Sequence, residues 1–135
     1  MVAFITLASV FLAAASAFAA PANNVNMRRQ SVGQTITGGM ATFYFQGGVA
    51  GSCGNVNPDS ALIVAVQAQS YNAANCGRQV RVTNTQNQRS VVATIADRCP
   101  TCQNNPNSLD LSQGAFDAIA DEATGVVPIE YTYLS

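Results

Sequence analysis

Residues 93–116 read ATIADRCPTCQNNPNSLDLSQGAF. A β-branched run ends in Asp97-Arg98, two cysteines follow three positions apart, and an asparagine-rich loop leads to a second aspartate, Asp110. Four chemistries use such a pattern: a metal knuckle, a redox pair, a catalytic carboxylate site, or a stapled turn in a barrel. The choice among them decides the fold, and the flanking sequence narrows it.

The cysteines are Cys53, Cys76, Cys99 and Cys102. A zinc site built from four cysteines needs two close pairs, and only Cys99 and Cys102 are close. A thioredoxin-like pair belongs at a helix N-terminus in a βαβ unit, whereas Cys99-Pro100-Thr101-Cys102 follows a strand-like run and enters a loop. Histidine is absent, which removes Ser–His–Asp and Cys–His catalysis and the commonest metal ligand. No metal and no cofactor are therefore expected. An even cysteine count in a secreted chain reads as two disulfides. Three pairings are possible; Cys53–Cys76 with Cys99–Cys102 is favoured. Closing the longer loop stabilises by about 3 kcal/mol and the shorter by about 2 kcal/mol on a chain-entropy model.

Secretion is read from the N-terminus. The stretch MVAFITLASVFLAAASAFAA carries no charged side chain and ends in Ala17-Phe18-Ala19, a small-x-small cleavage pattern. Residues 1–19 are expected to be a signal peptide rather than a membrane anchor, and no membrane partner is expected. Residues 20–37 are expected to be a propeptide or flexible segment, with a dibasic site at Arg28-Arg29 where polar, exposed chain is readily nicked. Cleavage there leaves 106 residues, enough for one modest core.

All six basic residues are arginine, against seven acids, for a net charge of −1. Loss of Arg28 and Arg29 leaves four against seven, a net −3. A weakly acidic chain with no basic patch argues against nucleic acid as partner. A monomer is expected.

Outward from the opening stretch the chain reads as short strands: Met40–Phe45, Ala61–Val66 (apolar throughout, fit for burial on both faces), Val80–Thr83, Ser90–Ala96 and Ile129–Leu134. Asn84–Gln88 reads as a hairpin loop. A helix is expected from Asp110-Leu111-Ser112, with Ser112 as N-cap, Ala115, Phe116, Ile119 and Ala120 on one face, and Gly125 as its stop. A shorter helical turn is expected through Gln69 and Tyr71. This is a mainly β chain with one or two short helices, suited to a small closed barrel.

Several motifs together resemble a known family. Gly39-Met40-Ala41-Thr42-Phe43-Tyr44, Gly51-Ser52-Cys53-Gly54 and Asn75-Cys76-Gly77 resemble the first half of an expansin-type domain. Val82-Thr83-Asn84, Arg89-Ser90-Val91-Val92 and Ile95-Ala96-Asp97-Arg98 resemble the rare-lipoprotein-A-like domain, and Leu109-Asp110-Leu111-Ser112 with Ala115-Phe116 matches a segment shared by both. The chain is most similar to the fungal loosenin-type expansin-like proteins, with Asp97-Arg98-Cys99-Pro100-x-Cys102 the nearest match. The likeness covers residues 38–135.

The resemblance implies a six-stranded double-psi β-barrel of the barwin-like superfamily, with an open groove that binds polysaccharide. It supports the pairing of Cys53 with Cys76, which leaves Cys99 and Cys102 to staple a turn between the two aspartates. It also places Asp110 where family-45 endoglucanases carry their proton donor. Their base lies in a T-x-Y-W-D segment, matched here by Thr42-Phe43-Tyr44-Phe45-Gln46. Gln46 is an amide and accepts no proton at useful pH, so the two-carboxyl mechanism lacks its second half.

Asp97 is the candidate substitute. Facing Asp110 in a groove, it would hold one of the two carboxyls protonated by repulsion; its alternative role is to bind loop amides. Asp110 has an alternative too, as a carboxylate near a helix N-terminus. Thr42 and Tyr44 match groove positions, Thr42 to orient Asp110 and Tyr44 to pack on a sugar ring. Tyr71 is a second candidate platform, or packs under the Cys53–Cys76 loop. Alternation sends Phe43 and Phe45 to the opposite face, into the core.

Ser108-Leu109 replaces the family's His-Phe, tryptophan is absent, and the chain ends at Ser135 without the second, carbohydrate-binding domain of plant expansins. Weak affinity for amorphous glucan, cellulose surfaces or chitin is expected, not tight binding to crystals. The leading expectation is a secreted, extracellular protein that loosens wall polysaccharide without hydrolysis. A cysteine-protease inhibitor or effector-type interaction protein is the alternative, with the loop from Gln103 to Ser108 as a wedge. A weak lytic enzyme using one aspartate is the third.

Overall fold

Apolar side chains at every second position make strands that bury one face. In a computed structural model, which describes residues 31–135, six segments are strands: β1 (Thr35–Tyr44), β2 (Ile63–Gln67), β3 (Gln79–Asn84), β4 (Ser90–Cys99), β5 (Leu109–Ser112) and β6 (Val127–Tyr133). The expected signal peptide and dibasic site lie outside the described residues. β1 begins at Thr35, within the stretch assigned from sequence to the N-terminal segment.

The strands close into a barrel in the order β1-β5-β2-β4-β3-β6. β1 pairs with β5 and β2 with β4 in parallel, and the remaining pairings are antiparallel. This is the double-psi arrangement that the resemblance implied. Val64, Val66, Val82, Ile95, Leu111 and Ile129 fill the barrel, and Phe116 joins them from outside the strands. β2 is buried at all five positions, on both faces as expected. Both disulfides form as favoured, Cys53–Cys76 and Cys99–Cys102.

Two expectations are corrected. Leu109–Ser112 is a strand, not the start of the helix: Leu109 and Leu111 point into the core between β1 and β2. The helix is also shorter. α1 spans Gln113–Asp117, with Ser112 Oγ accepting from the Ala115 N–H at 3.2 Å. Ile119 and Ala120 are buried as the periodicity required, but the helix does not run on to Gly125. The side-chain amides of Asn84 and Asn87 donate to the Ile119 carbonyl at 2.9 Å each. That carbonyl would otherwise accept the next helical bond. A separate 3₁₀ turn, Glu122–Thr124, follows and ends at Gly125, whose φ is 73°.

The helical turn expected through Gln69 and Tyr71 lies slightly later, as a 3₁₀ turn at Ala73–Asn75 capped by the Asn72 side chain. Among the described residues no helix is long and apolar enough to cross a membrane.

Candidate functional site

The two aspartates are brought together by register. Asp110 of β5 lies opposite Thr42 of β1 on one side and Ala65 of β2 on the other. Ala65 in turn lies opposite Asp97 of β4. Thr42, Asp110, Ala65 and Asp97 therefore form one row across four neighbouring strands. Strands stand about 4.8 Å apart, so the two aspartate backbones are roughly 10 Å apart. Ala65, with only a methyl group, lies between them and packs with Cys99 and Cys102, and Tyr44 rests against that cluster.

Asp97 reaches this row through a β-bulge. Ile95 points into the core, and strict alternation would send Asp97 inward after it. The β2–β4 register instead jumps from Val64↔Ile95 to Ala65↔Asp97, leaving Ala96 as the extra residue. Such an insertion re-aims the side chains after it. The freed Ala96 carbonyl accepts from the Cys53 N–H at 3.1 Å.

Asp110 is half-buried. Its Oδ1 accepts from the Thr42 hydroxyl at 2.9 Å, and its Oδ2 lies 4.0 Å from Cys99 Sγ. Burial raises its pKa, the Thr42 hydrogen bond opposes the rise, and the charge of Asp97 adds to it. Asp97 is set differently. Its Oδ1 accepts from the backbone N–H of Ser52 at 2.7 Å and of Arg98 at 2.8 Å, and its Oδ2 accepts from the Tyr44 hydroxyl at 3.0 Å. Burial pushes its pKa up, but these donors and the Ser52 side chain together outweigh it and hold the carboxyl below the usual range. The two carboxyls shift in opposite directions, and burial rather than repulsion from Asp97 is the main cause at Asp110.

The Thr42 hydroxyl donates to Asp110, the geometry that an orienting role requires. Tyr44 leans across to Asp97, and burial, with the charges of Asp97 and Asp110, pushes its phenol well above the ordinary tyrosine range. Gln46, at the place of the family base, is buried; its backbone N–H donates to Asp59 Oδ1 at 2.6 Å, and its Nε2 completes no hydrogen bond among the described residues.

Tyr71 is not part of the row. It packs against the core, its hydroxyl 3.4 Å from the Ser52 carbonyl and 3.7 Å from Cys76 Sγ, so it supports the disulfide loop. Phe43 is half-buried on Phe116, with centroids 4.8 Å apart. Phe45 is 62% exposed, contrary to expectation, because β1 has ended at Tyr44 before it.

The loop that carries Ser52 was not identified from sequence as part of the site. Gly51 lets it approach: a Cβ there would stand 2.6 Å from the Ala96 carbonyl oxygen and 3.1 Å from Asp97 Cγ. The Gly51-Ser52-Cys53-Gly54 motif was its only signal. Two clefts, of about 330 and 520 Å³, contain neither aspartate: one is lined by Cys53, Cys76 and Ile95, the other by Gln46, Val56 and Asp59.

The family model described as lytic transglycolase matches residues 36–131. An expansin of Clavibacter michiganensis, solved as a mutant in complex with cellohexaose, superposes with a TM-score of 0.65 at 33% identity, covering 76% of this chain and 51% of that one. The Streptomyces papain inhibitor superposes with a TM-score of 0.65 at 30% identity, covering 78% of this chain and 99% of that one. An uncharacterized protein of Synechocystis is 47% identical over 58 residues, covering 43% of this chain and 58% of the relative. The chain thus spans between half and two thirds of the length of two of these three.

Proposed function

The chain belongs to the lytic transglycolase family of double-psi β-barrels, and from that premise we propose that it is a secreted protein that binds cell-wall polysaccharide along the Thr42–Asp110–Asp97 row and loosens it without hydrolysis. The carrying observation is the state of Asp97. Three donors occupy its oxygens and its pKa is lowered, so it is a poor proton acceptor. Gln46 is no base either. Asp110 is left as a solitary acid with the Thr42 hydroxyl at its side, able to hydrogen-bond sugar hydroxyls. The similar expansin was captured with cellohexaose, which supports a glucan as ligand; chitin is a second candidate. The loosenin-type assignment rests on the Asp97–Cys102 motif, and secretion on the N-terminal stretch and the two disulfides.

The test pairs pull-down on amorphous cellulose, chitin and wall preparations with a wall-extension assay and a reducing-end assay. Asp110→Asn is expected to abolish most extension while the fold persists. Unchanged extension removes Asp110 from the site. Reducing-end release that is lost in Asp110→Asn replaces loosening with lytic cleavage, for which the raised pKa of Asp110 would suit a general acid.

A protease-inhibitor reading is favoured by one observation. Phe45, Val49 and Val56 are each more than 60% exposed around the loop that follows β1, the kind of apolar surface that a protein partner covers. Papain inhibition measured beside the pull-down decides it.

A further inference from the structure

Three potential ligand atoms converge beside Ala65, in the middle of the row. The sulfurs of Cys99 and Cys102 and a carboxylate oxygen of Asp110 all lie within 4.8 Å of one another. Bonded to each other, the sulfurs offer no thiolate, and the thiolate is the metal-binding form. We propose that reduction of the Cys99–Cys102 disulfide turns this corner into a site for one thiophilic divalent cation of the zinc class, held by two thiolates and the Asp110 carboxylate.

The surroundings fit a knuckle. A Cys-x-x-Cys turn is a common half of a zinc site, and here the Cys102 backbone N–H donates to Cys99 Sγ at 3.1 Å. That bond stabilises negative charge on the sulfur. The Thr42 hydroxyl holds Asp110 by Oδ1, which leaves Oδ2 towards Cys99 at 4.0 Å. Thr42 is thus placed as the outer-sphere partner that a ligating carboxylate ordinarily has. In a tetrahedral zinc site two thiolates stand about 3.8 Å apart, farther than the bonded sulfurs stand, so the two side chains must part on reduction to receive the ion. Both cysteines are buried, so the ligands arrive largely desolvated. Two sulfurs and one oxygen match zinc or cobalt rather than calcium or magnesium.

The chemistry balances. A phosphine takes oxygen from water, becomes the phosphine oxide, and passes two electrons to the S–S bond, leaving two thiols. A dithiol does the same by exchange and leaves as its own disulfide. Cation binding then displaces both thiol protons to solvent.

Cobalt(II) is the probe. The full mature chain is reduced with a phosphine under argon, titrated with cobalt(II), and followed by thiolate-to-metal charge-transfer absorption in the near ultraviolet. The wild type is expected to saturate at one equivalent. Cys99→Ser/Cys102→Ser, treated identically, is expected to show no charge-transfer band; because it retains Cys53 and Cys76, it controls for binding at the other pair. Asp110→Asn, which conserves shape, is expected to bind at least about tenfold more weakly, and carries the test if the double variant does not fold. Saturable absorption surviving in the double variant, equal affinity in Asp110→Asn, or no band in reduced wild type each overturns the proposal. So does loss of the β-sheet circular dichroism on reduction, since β5 must stay folded to present Asp110. None of these readouts depends on polysaccharide, so the proposal stands or falls apart from the groove's function.

Discussion

Asp97 and Asp110 have the same side chain and opposite titration behaviour, and the difference lies in who donates to them. At Asp97 burial is outweighed by the amides of Ser52 and Arg98 and the hydroxyl of Tyr44. Its folded pKa lies below the unfolded value of about 3.9. The stability it contributes is therefore complete above that value and is lost as pH falls through the folded pKa. Tyr44→Phe removes one donor, so the Asp97 pKa is expected to move up, read by carboxyl carbon NMR. The variant is expected to lose about 1 kcal/mol at neutral pH; an unmoved titration would mean that the phenol does not bond to Asp97. Asp110 runs the other way. Its folded pKa lies above the unfolded one, so wild-type stability falls as pH rises across the window between the two. Asp110→Asn is expected to be more stable than wild type at pH 7, and the gain to vanish below the unfolded pKa. Urea midpoints at pH 7 and pH 3 check both ends.

Strand alternation explains which elements were legible in the sequence and where legibility stopped. β2, β3, β4 and β6 announce themselves through β-branched or alternating residues. β5 does not: Leu109-Asp110-Leu111-Ser112 is only four residues long and runs straight into α1, so Asp110-Leu111-Ser112 reads as the start of the helix. Alternation also misplaces Asp97, because no local residue marks Ala96 as a bulge; only the family motif points to Asp97 as a candidate site residue. Phe45 departs from strand periodicity because β1 ends one residue before it. The cap at Ser112 is legible in the sequence because capping is a local event. Its hydroxyl accepts from Ala115 N, and also from Ile63 N at 3.3 Å, joining α1 to the start of β2. Ser112→Ala is expected to cost about 2 kcal/mol, the upper end for a lost cap, measured by chemical denaturation. A loss of only a few tenths would show that the junction does not need the hydroxyl.

At the scale of the molecule the barrel and its longer disulfide divide the work. Hydrogen bonding closes the cylinder without help from Cys53–Cys76, since that bridge joins the β1–β2 loop to the turn before β3. The same loop delivers the Ser52 amide to Asp97 and the Cys53 amide to Ala96. The bridge should therefore act on stability and on the site together. Replacing both cysteines by alanine releases a cross-link between residues 23 apart, which is expected to cost about 3 kcal/mol. For a domain near 100 residues that lowers the melting temperature on the order of 10–20 °C. The loop amides should then hold Asp97 less firmly, so its pKa is expected to rise even at temperatures where the variant is folded. Calorimetry reads the first effect and carboxyl NMR the second. A melting shift with Asp97 unmoved would mean that Gly51 and the Ala96 contact alone seat the loop, and that the disulfide serves the fold but not Asp97.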